Sequence, residues 1–143
     1  MQLRNRWMIV GLALVALSAA GCAATAEAET EVKGPAELLP VEGSDIQQVR
    51  LTARAIERID LQTAPVTEQE GSKVVPYEAI VYDASGETYV YTTTAARTYM
   101  RSLVTVFVID GEDAVLSDGP DAGTEVVTTG TAELFGVEKE IGY

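Results

Sequence analysis

Runs of apolar and β-branched residues, separated by Gly- and Asp-rich turns, dominate the chain from Val66 onward. Such runs, with a break roughly every 8 to 12 residues, are typical of strands in small all-β domains. The longest run, Met100 to Ile109, has apolar residues on both faces, which predicts a strand covered from both sides, as in a barrel or roll. The predicted strands are 74–82, 88–93, 100–109, 114–117 and 125–129.

Helical segments are predicted at only two places. Thr52 is a residue type that caps helix N-termini, and residues 53–60 after it carry apolar side chains three apart on one face. Near the C-terminus, residues 132–136 are predicted as one helical turn and residues 137–143 as an extended tail. The expected fold class is therefore all-β: a small β-barrel or β-roll of about six strands with one short helix near its start.

The N-terminus has the layout of a secretory leader. Two arginines precede an apolar run over residues 7–20, and small residues follow, ending in Gly21-Cys22. The fourteen residues of this run fall below the roughly 17 that a membrane-spanning helix needs. The end of the leader resembles a bacterial lipobox, which implies a signal peptide over residues 1–21, cleavage between Gly21 and Cys22, and lipidation of Cys22. An uncleaved membrane anchor and simple secretion are the alternatives.

A lipidated cysteine fixes the expected location. The lipoprotein class carries acyl chains, palmitate among them, on this cysteine, and two or more chains give a stable anchor. The resemblance implies an extracytoplasmic protein held in a bacterial cell membrane through Cys22. Which membrane carries the anchor stays open.

Composition narrows the chemistry of the expected mature chain. Removal of the 21-residue leader from the 143 residues leaves 122. Two of the ten basic residues lie in the leader, so eight remain against 22 acidic residues, which gives a net charge of −14. Such a negative charge argues against nucleic acid and against adsorption on anionic lipid. The chain has no His, and Cys22 is its single Cys. Disulfides, imidazole bases and most transition-metal sites are thereby excluded, and we expect no enzyme activity and no cofactor.

Two segments are expected after the leader. Residues 22–45 are acidic, contain few bulky apolar residues and include Gly34-Pro35 and Pro40, which predicts a flexible linker. Residues 46–143 hold all the predicted strands and form the expected β domain.

Several short motifs follow one another in this β domain. They are Ile59-Asp-Leu-Gln-Thr63-Ala-Pro65-Val66, Val75-Pro76-Tyr-Glu-Ala79-Ile-Val81, Asp83-Ala-Ser-Gly86, Tyr89-Val-Tyr91, the strand Arg101 to Val108, and Gly119-Pro-Asp-Ala-Gly123-Thr-Glu-Val126-Val127-Thr-Thr-Gly130. In this order and spacing they resemble the C-terminal, membrane-proximal part of periplasmic adaptor proteins, also called membrane fusion proteins. The long helical hairpin and the lipoyl-like domain of that family have no counterpart here.

The resemblance implies a non-catalytic, lipid-anchored accessory subunit that associates with an efflux or export transporter, such as an ABC-type or RND-type permease. The alternative is an envelope lipoprotein that binds a small molecule or a cell-envelope component. An envelope hydrolase is a third class, disfavoured because the chain has no His base and no Ser-x-x-Lys motif to activate a Ser or Thr nucleophile. The oligomeric state stays open.

Three glycines and three larger residues are candidate site positions. Gly119, Gly123 and Gly130 lie where turns favour a positive φ. Arg97, Tyr99 and Arg101 form a possible protein interface, since Arg and Tyr are favoured at interfaces; a solvated strand edge is the alternative.

Two further groups have a structural and a functional interpretation. Asp110, Glu112 and Asp113 are interpreted as hairpin-turn residues rather than as Ca²⁺ ligands, because the spacing of a calcium loop is absent. Tyr89 and Tyr91 share one strand face, and we expect them in the core rather than in an exposed patch.

Overall fold

The computed structural model describes residues 34–141. It contains ten strands, two α-helices and one 3-10 turn. The strands are β1 (Ala36–Leu39), β2 (Gln48–Leu51), β3 (Gln62–Pro65), β4 (Thr67–Gln69), β5 (Ser72–Pro76), β6 (Val81–Tyr82), β7 (Thr88–Ala95), β8 (Thr98–Asp110), β9 (Asp113–Asp118) and β10 (Glu125–Thr129). The helices are α1 (Ala53–Arg58) and α2 (Thr131–Ile141), and the 3-10 turn is Tyr77–Ala79.

All strand pairs are antiparallel and join into one curled sheet in the order β3-β10-β7-β8-β9-β5-β4. The β1–β2 hairpin joins at β8, and β6 joins at β7. Strand β8 links the two halves: its first part pairs with β7 and β2, and its second part pairs with β9. The predicted all-β class is confirmed, although the sheet has ten strands and not about six.

The sheet carries one hydrophobic cluster on each face. Neighbouring residues of a strand point to opposite faces, so Val126 and Val127 of β10 enter different clusters, and so do Val90 and Tyr91 of β7. The first cluster fills the curl of the sheet, with Val75, Val104 and Leu116 among its members. The second contains residues of β2, α1 and α2, so the central strands are covered on both faces.

Two strand predictions need correction. Residues 36–39, assigned above to the flexible linker, form β1 and pair with β2 over four residues; the sequence signal was weak because all four are only half-buried. The rest of the predicted linker, residues 22–33, lies outside the described residues. The predicted strand 74–82 is interrupted after Pro76 by the 3-10 turn, and the amide of Tyr77 there bonds to the carbonyl of Glu112.

The predicted first helix is confirmed and the predicted C-terminal tail is wrong. The Thr52 hydroxyl accepts a hydrogen bond from the Ala55 amide at 3.1 Å, which satisfies a first-turn donor of α1. Residues 137–141 continue α2 instead of extending, because Leu134 and Glu138, four residues apart, are both buried against the sheet. Neither helix within residues 34–141 is long and apolar enough to cross a membrane.

The three candidate glycines have two different roles. Gly123 (φ +88°) and Gly130 (φ +93°) adopt the positive φ that was expected. Gly119 does not; a Cβ at this position would lie 3.0 Å from Leu116 Cδ1 and 3.1 Å from Val104 Cγ1. Close packing, and not a turn conformation, therefore accounts for glycine at position 119.

We predict opposite effects for two Gly→Ala substitutions. Gly130→Ala adds a Cβ at positive φ and 3.1 Å from Ile59 Cδ1, so it destabilises the fold by more than about 1 kcal/mol. Gly136→Ala, inside α2 with no atom within 4 Å of the added Cβ, stabilises it by about 0.5–1 kcal/mol. Urea unfolding followed by circular dichroism measures both, and equal effects of the two variants would contradict the different backbone conformations assigned to the two glycines.

Candidate functional site

The structure separates the three residues proposed as an interface. Arg97 is exposed, with φ +55°, in the turn between β7 and β8. Tyr99 and Arg101 are buried, with 5% and 7% of their surface exposed. The interface hypothesis is therefore wrong for Tyr99 and Arg101, because their side chains point into the cluster that lies between the sheet and α2.

Arg101 forms a buried ion pair with Glu138 of α2. Its Nε lies 2.9 Å from Glu138 Oε2 and 3.0 Å from Oε1. The guanidinium stacks over Tyr89, 4.5 Å from the ring centroid, and lies 5.6 Å from the centroid of Phe135. An ion pair out of water is stable only when further contacts offset its desolvation, and here two aromatic rings and a third polar group supply them.

That third group is the hydroxyl of Tyr91, which donates to Glu138 Oε2 at 2.7 Å. Burial raises the pKa of Tyr91 well above its ordinary value of 10.0, and the hydrogen bond to the Glu138 carboxylate raises it further. The phenol therefore stays protonated as the donor. The carboxylate of Glu138 thus joins helix α2 to strands β7 and β8, so this cluster has a structural role.

Tyr89 lies beside the same cluster and connects it to the β6–β7 turn. Its hydroxyl donates to Glu87 Oε2 at 2.8 Å, and this hydrogen bond, followed by burial, raises the pKa of Tyr89. The expectation that Tyr89 and Tyr91 belong to the core is confirmed, since both are buried. In the turn itself, Asp83 Oδ1 accepts hydrogen bonds from the amides of Ser85 and Glu87.

The acidic residues singled out in the sequence lie at the β8–β9 hairpin. Gly111, at φ +64°, forms its tip between Asp110 and Asp113, which pair across the two strands. Among the residues that the structure describes, no group of three or more Asp, Glu, His or Cys side chains has the arrangement to hold a metal ion. The predicted cleavage and lipidation residues, Gly21 and Cys22, lie outside the described part of the chain.

From Leu103 onward, strand β8 exposes large apolar side chains. Phe107 is 76% exposed and Leu103 54%, and Val108 and Ile109 are also open to solvent. These four residues are named the β8 strip. Val108 pairs with Val115 and Ile109 with Ala114, so these two point to opposite faces, and the β8 strip is a run of exposed residues along one strand rather than a single face. Clusters of exposed apolar residues are features that mark interaction sites. The β8 strip is therefore the candidate functional site.

Sequence reasoning missed this strip because it expected β8 to be covered on both faces. Leu103 is already exposed while β8 still pairs with β7, and beyond Val104 the strand leaves β7 and pairs with β9 alone. The register shifts around Phe107, with Val106 opposite Leu116 and Val108 opposite Val115. Such a β-bulge leaves one residue unpaired and interrupts the alternation of faces. Val106, Phe107 and Val108 thus do not alternate between core and solvent.

A broad depression of about 470 Å³ adjoins the β8 strip. Leu103, Thr105 and Val106 line one side, and Tyr82 and Glu87 line the other. At the far end of the strip lie Asp110, Glu112 and Asp113, and no Lys or Arg occurs from Ser102 to Glu138. The apolar strip is thus bordered by carboxylates at both ends.

We predict that the Arg101–Glu138 pair is a main determinant of stability. Glu138→Ala leaves a buried guanidinium without its partner and lowers the free energy of unfolding by about 3–5 kcal/mol. Glu140→Ala, an exposed position in the same helix, changes it by less than about 0.5 kcal/mol. Urea unfolding of both variants checks the difference, and similar effects would show that the ion pair contributes little.

The raised pKa of Tyr91 predicts a pH dependence. Above pH 10 the phenol ionises in the unfolded chain but not in the folded one, so the folded state binds more protons and stability falls as pH rises. Tyr91→Phe lowers the free energy of unfolding by about 1–3 kcal/mol at pH 7, because the hydrogen bond to the Glu138 carboxylate is lost. The difference in free energy of unfolding between wild type and Tyr91→Phe should narrow by roughly 1.4 kcal/mol per pH unit above pH 10. Urea unfolding at pH 7, 10 and 11 measures it, and a constant gap would contradict the assignment.

The chain was compared with protein-family models, with curated proteins and with solved structures, and none of the three comparisons finds a match.

Proposed function

We propose that this protein is a non-catalytic, lipid-anchored accessory subunit that docks on a membrane efflux or export transporter. Cys22 would hold it at the outer face of a bacterial membrane, and the β domain would make the contact with the partner. The proposal joins the lipobox-like leader and the adaptor-like order of motifs with one structural observation, the exposed β8 strip.

The β8 strip carries the proposal because it holds four of the six large hydrophobic residues that the described domain leaves exposed. Tyr91, Val90, Val126 and Val127 are fully buried by the curl and the helices, whereas Phe107 is left three-quarters exposed. Exposed aromatic and aliphatic side chains reduce solubility unless a partner covers them, and aromatic residues are enriched in the cores of protein interfaces. Docking on another protein is the function that gives this surface a role.

The charge of the domain supports a protein partner over a lipid surface. A mature balance of −14 repels anionic headgroups, so membrane affinity would come from the acyl chains on Cys22. The acidic border of the β8 strip would instead steer a partner with complementary charge.

A pull-down of full-length protein from its native membranes tests this function. We expect a permease or its ATPase to be enriched with wild type and to fall at least fivefold with Cys22→Ala, which removes the anchor, and with Phe107→Lys, which places a charge in the strip. Gln69→Lys makes the same charge change on exposed β4 and should retain the partner. Enrichment of no transporter component in crosslinked membranes would refute the proposal.

A further inference from the structure

The β8 strip coincides with an open sheet edge. Strand β7 pairs with β8 only over Thr98–Val104, and β9 lies on the opposite side of β8 from β7. Within residues 34–141, no strand pairs with Thr105–Asp110 on the side where β7 ends. Six residues, about 20 Å of extended chain, therefore present unpaired backbone groups beside exposed apolar side chains.

This edge lacks most of the features that natural proteins use to block strand addition. Exposed edges are usually protected by Lys, by Pro, or by a covering loop or helix. The segment Thr105-Val-Phe-Val-Ile-Asp110 contains neither Lys nor Pro, and a depression of about 470 Å³ runs where a continuation of β7 would lie. The pairing of this segment with β9 shifts register at two places, between Thr105 and Val106 and between Val106 and Val108, and these irregularities are the edge protection that it does have. The edge is open on the side that leads into the depression.

We infer that the edge of β8 accepts an extended, apolar segment of the partner as an added antiparallel or parallel strand, with basic residues at both ends of that segment. Strand addition satisfies the free backbone groups, and the apolar side chains of the added strand cover the β8 strip. The inference rests on the proposed function for the identity of the partner. The binding mode is argued from the open edge of β8 alone.

Charge selects the chemistry of the added strand. Glu87 borders the depression at one end of the edge, and Asp110, Glu112 and Asp113 lie at the other. No basic residue lies between Ser102 and Glu138 in the sequence around Asp110, Glu112 and Asp113, whereas Glu87 already accepts hydrogen bonds from the hydroxyls of Ser85 and Tyr89. Lys or Arg about five or six residues apart in an extended strand would meet both ends.

A second copy of this chain fits the edge poorly. Two domains, each with a mature balance of −14, repel each other, and pairing of two β8 edges would bring their carboxylates together. An anionic lipid surface is disfavoured for the same reason. A basic-flanked protein segment is the occupant that would cover the exposed apolar side chains and complement the acidic residues at the ends of the edge.

Peptide binding to the full-length protein in phosphatidylcholine nanodiscs tests the inference by fluorescence anisotropy. The probe is a blocked nine-residue peptide with an alternating valine–threonine core and two lysines at each end. We expect it to bind at least tenfold more tightly than the same peptide with glutamates at the ends. N-methylation of alternate backbone amides, which removes strand hydrogen bonds, should abolish binding. Phe107→Lys should weaken binding at least tenfold, and Gln69→Lys less than twofold.

Other outcomes would overturn the inference. These are no binding, equal binding of basic and acidic peptides, or binding that survives N-methylation. A concentration-dependent dimer that Phe107→Lys abolishes would make a second copy the occupant, and vesicle binding lost in that variant would make it a lipid surface. If the peptide behaves as expected and no transporter co-purifies, the edge inference stands and the proposed function fails. If a transporter co-purifies but the peptide does not bind, the proposed function stands and the edge inference fails.

Discussion

The buried ion pair between Arg101 and Glu138 is the interaction on which the arrangement of the domain depends. Desolvation makes such a pair expensive, and its stability rests on the Tyr91 hydroxyl and on the rings of Tyr89 and Phe135. A purely apolar contact would hold α2 against the sheet in many registers. We interpret the carboxylate of Glu138, which needs two donors from two strands, as the group that fixes one register.

Strand β8, which carries Arg101, has different pairing partners along its length. Residues 98–100 pair with β2 and β7, residues 101–104 pair with β7 alone, and the part beyond Val104 pairs with β9 alone. Val106 still packs against the core cluster, but no part of the described chain covers Phe107, which is 76% exposed. One long strand thus serves both as the centre of the core and as an exposed edge.

Local signals predicted the all-β class, the Thr52-capped helix and the Asp-Gly turns, since each depends on residues adjacent in sequence. Helix α2 and the burial of Arg101 were not predictable in this way. Residues 136–141 have little intrinsic helix signal, and the contact that orders them joins Arg101 to a residue 37 positions away. The exposed part of β8 was missed for the converse reason: apolar residues on both faces resemble a covered strand. The start of β7 at Thr88 was predicted, but its register, with Thr88 opposite Val104, was not.

The proposed tether and the proposed edge complement each other energetically. A single added strand of about six residues buries less surface than a standard protein interface, so by itself it gives weak association. A lipid anchor confines this protein to the membrane of its partner and so raises the effective concentration of both. A weak contact is then sufficient for association, and no additional contacts are needed. The acidic residues at the ends of the edge then determine partner specificity more than binding affinity, because they repel other acidic chains and favour a basic-flanked segment. An exposed apolar edge, which is an aggregation hazard in a free protein, is tolerable when charge repels identical copies.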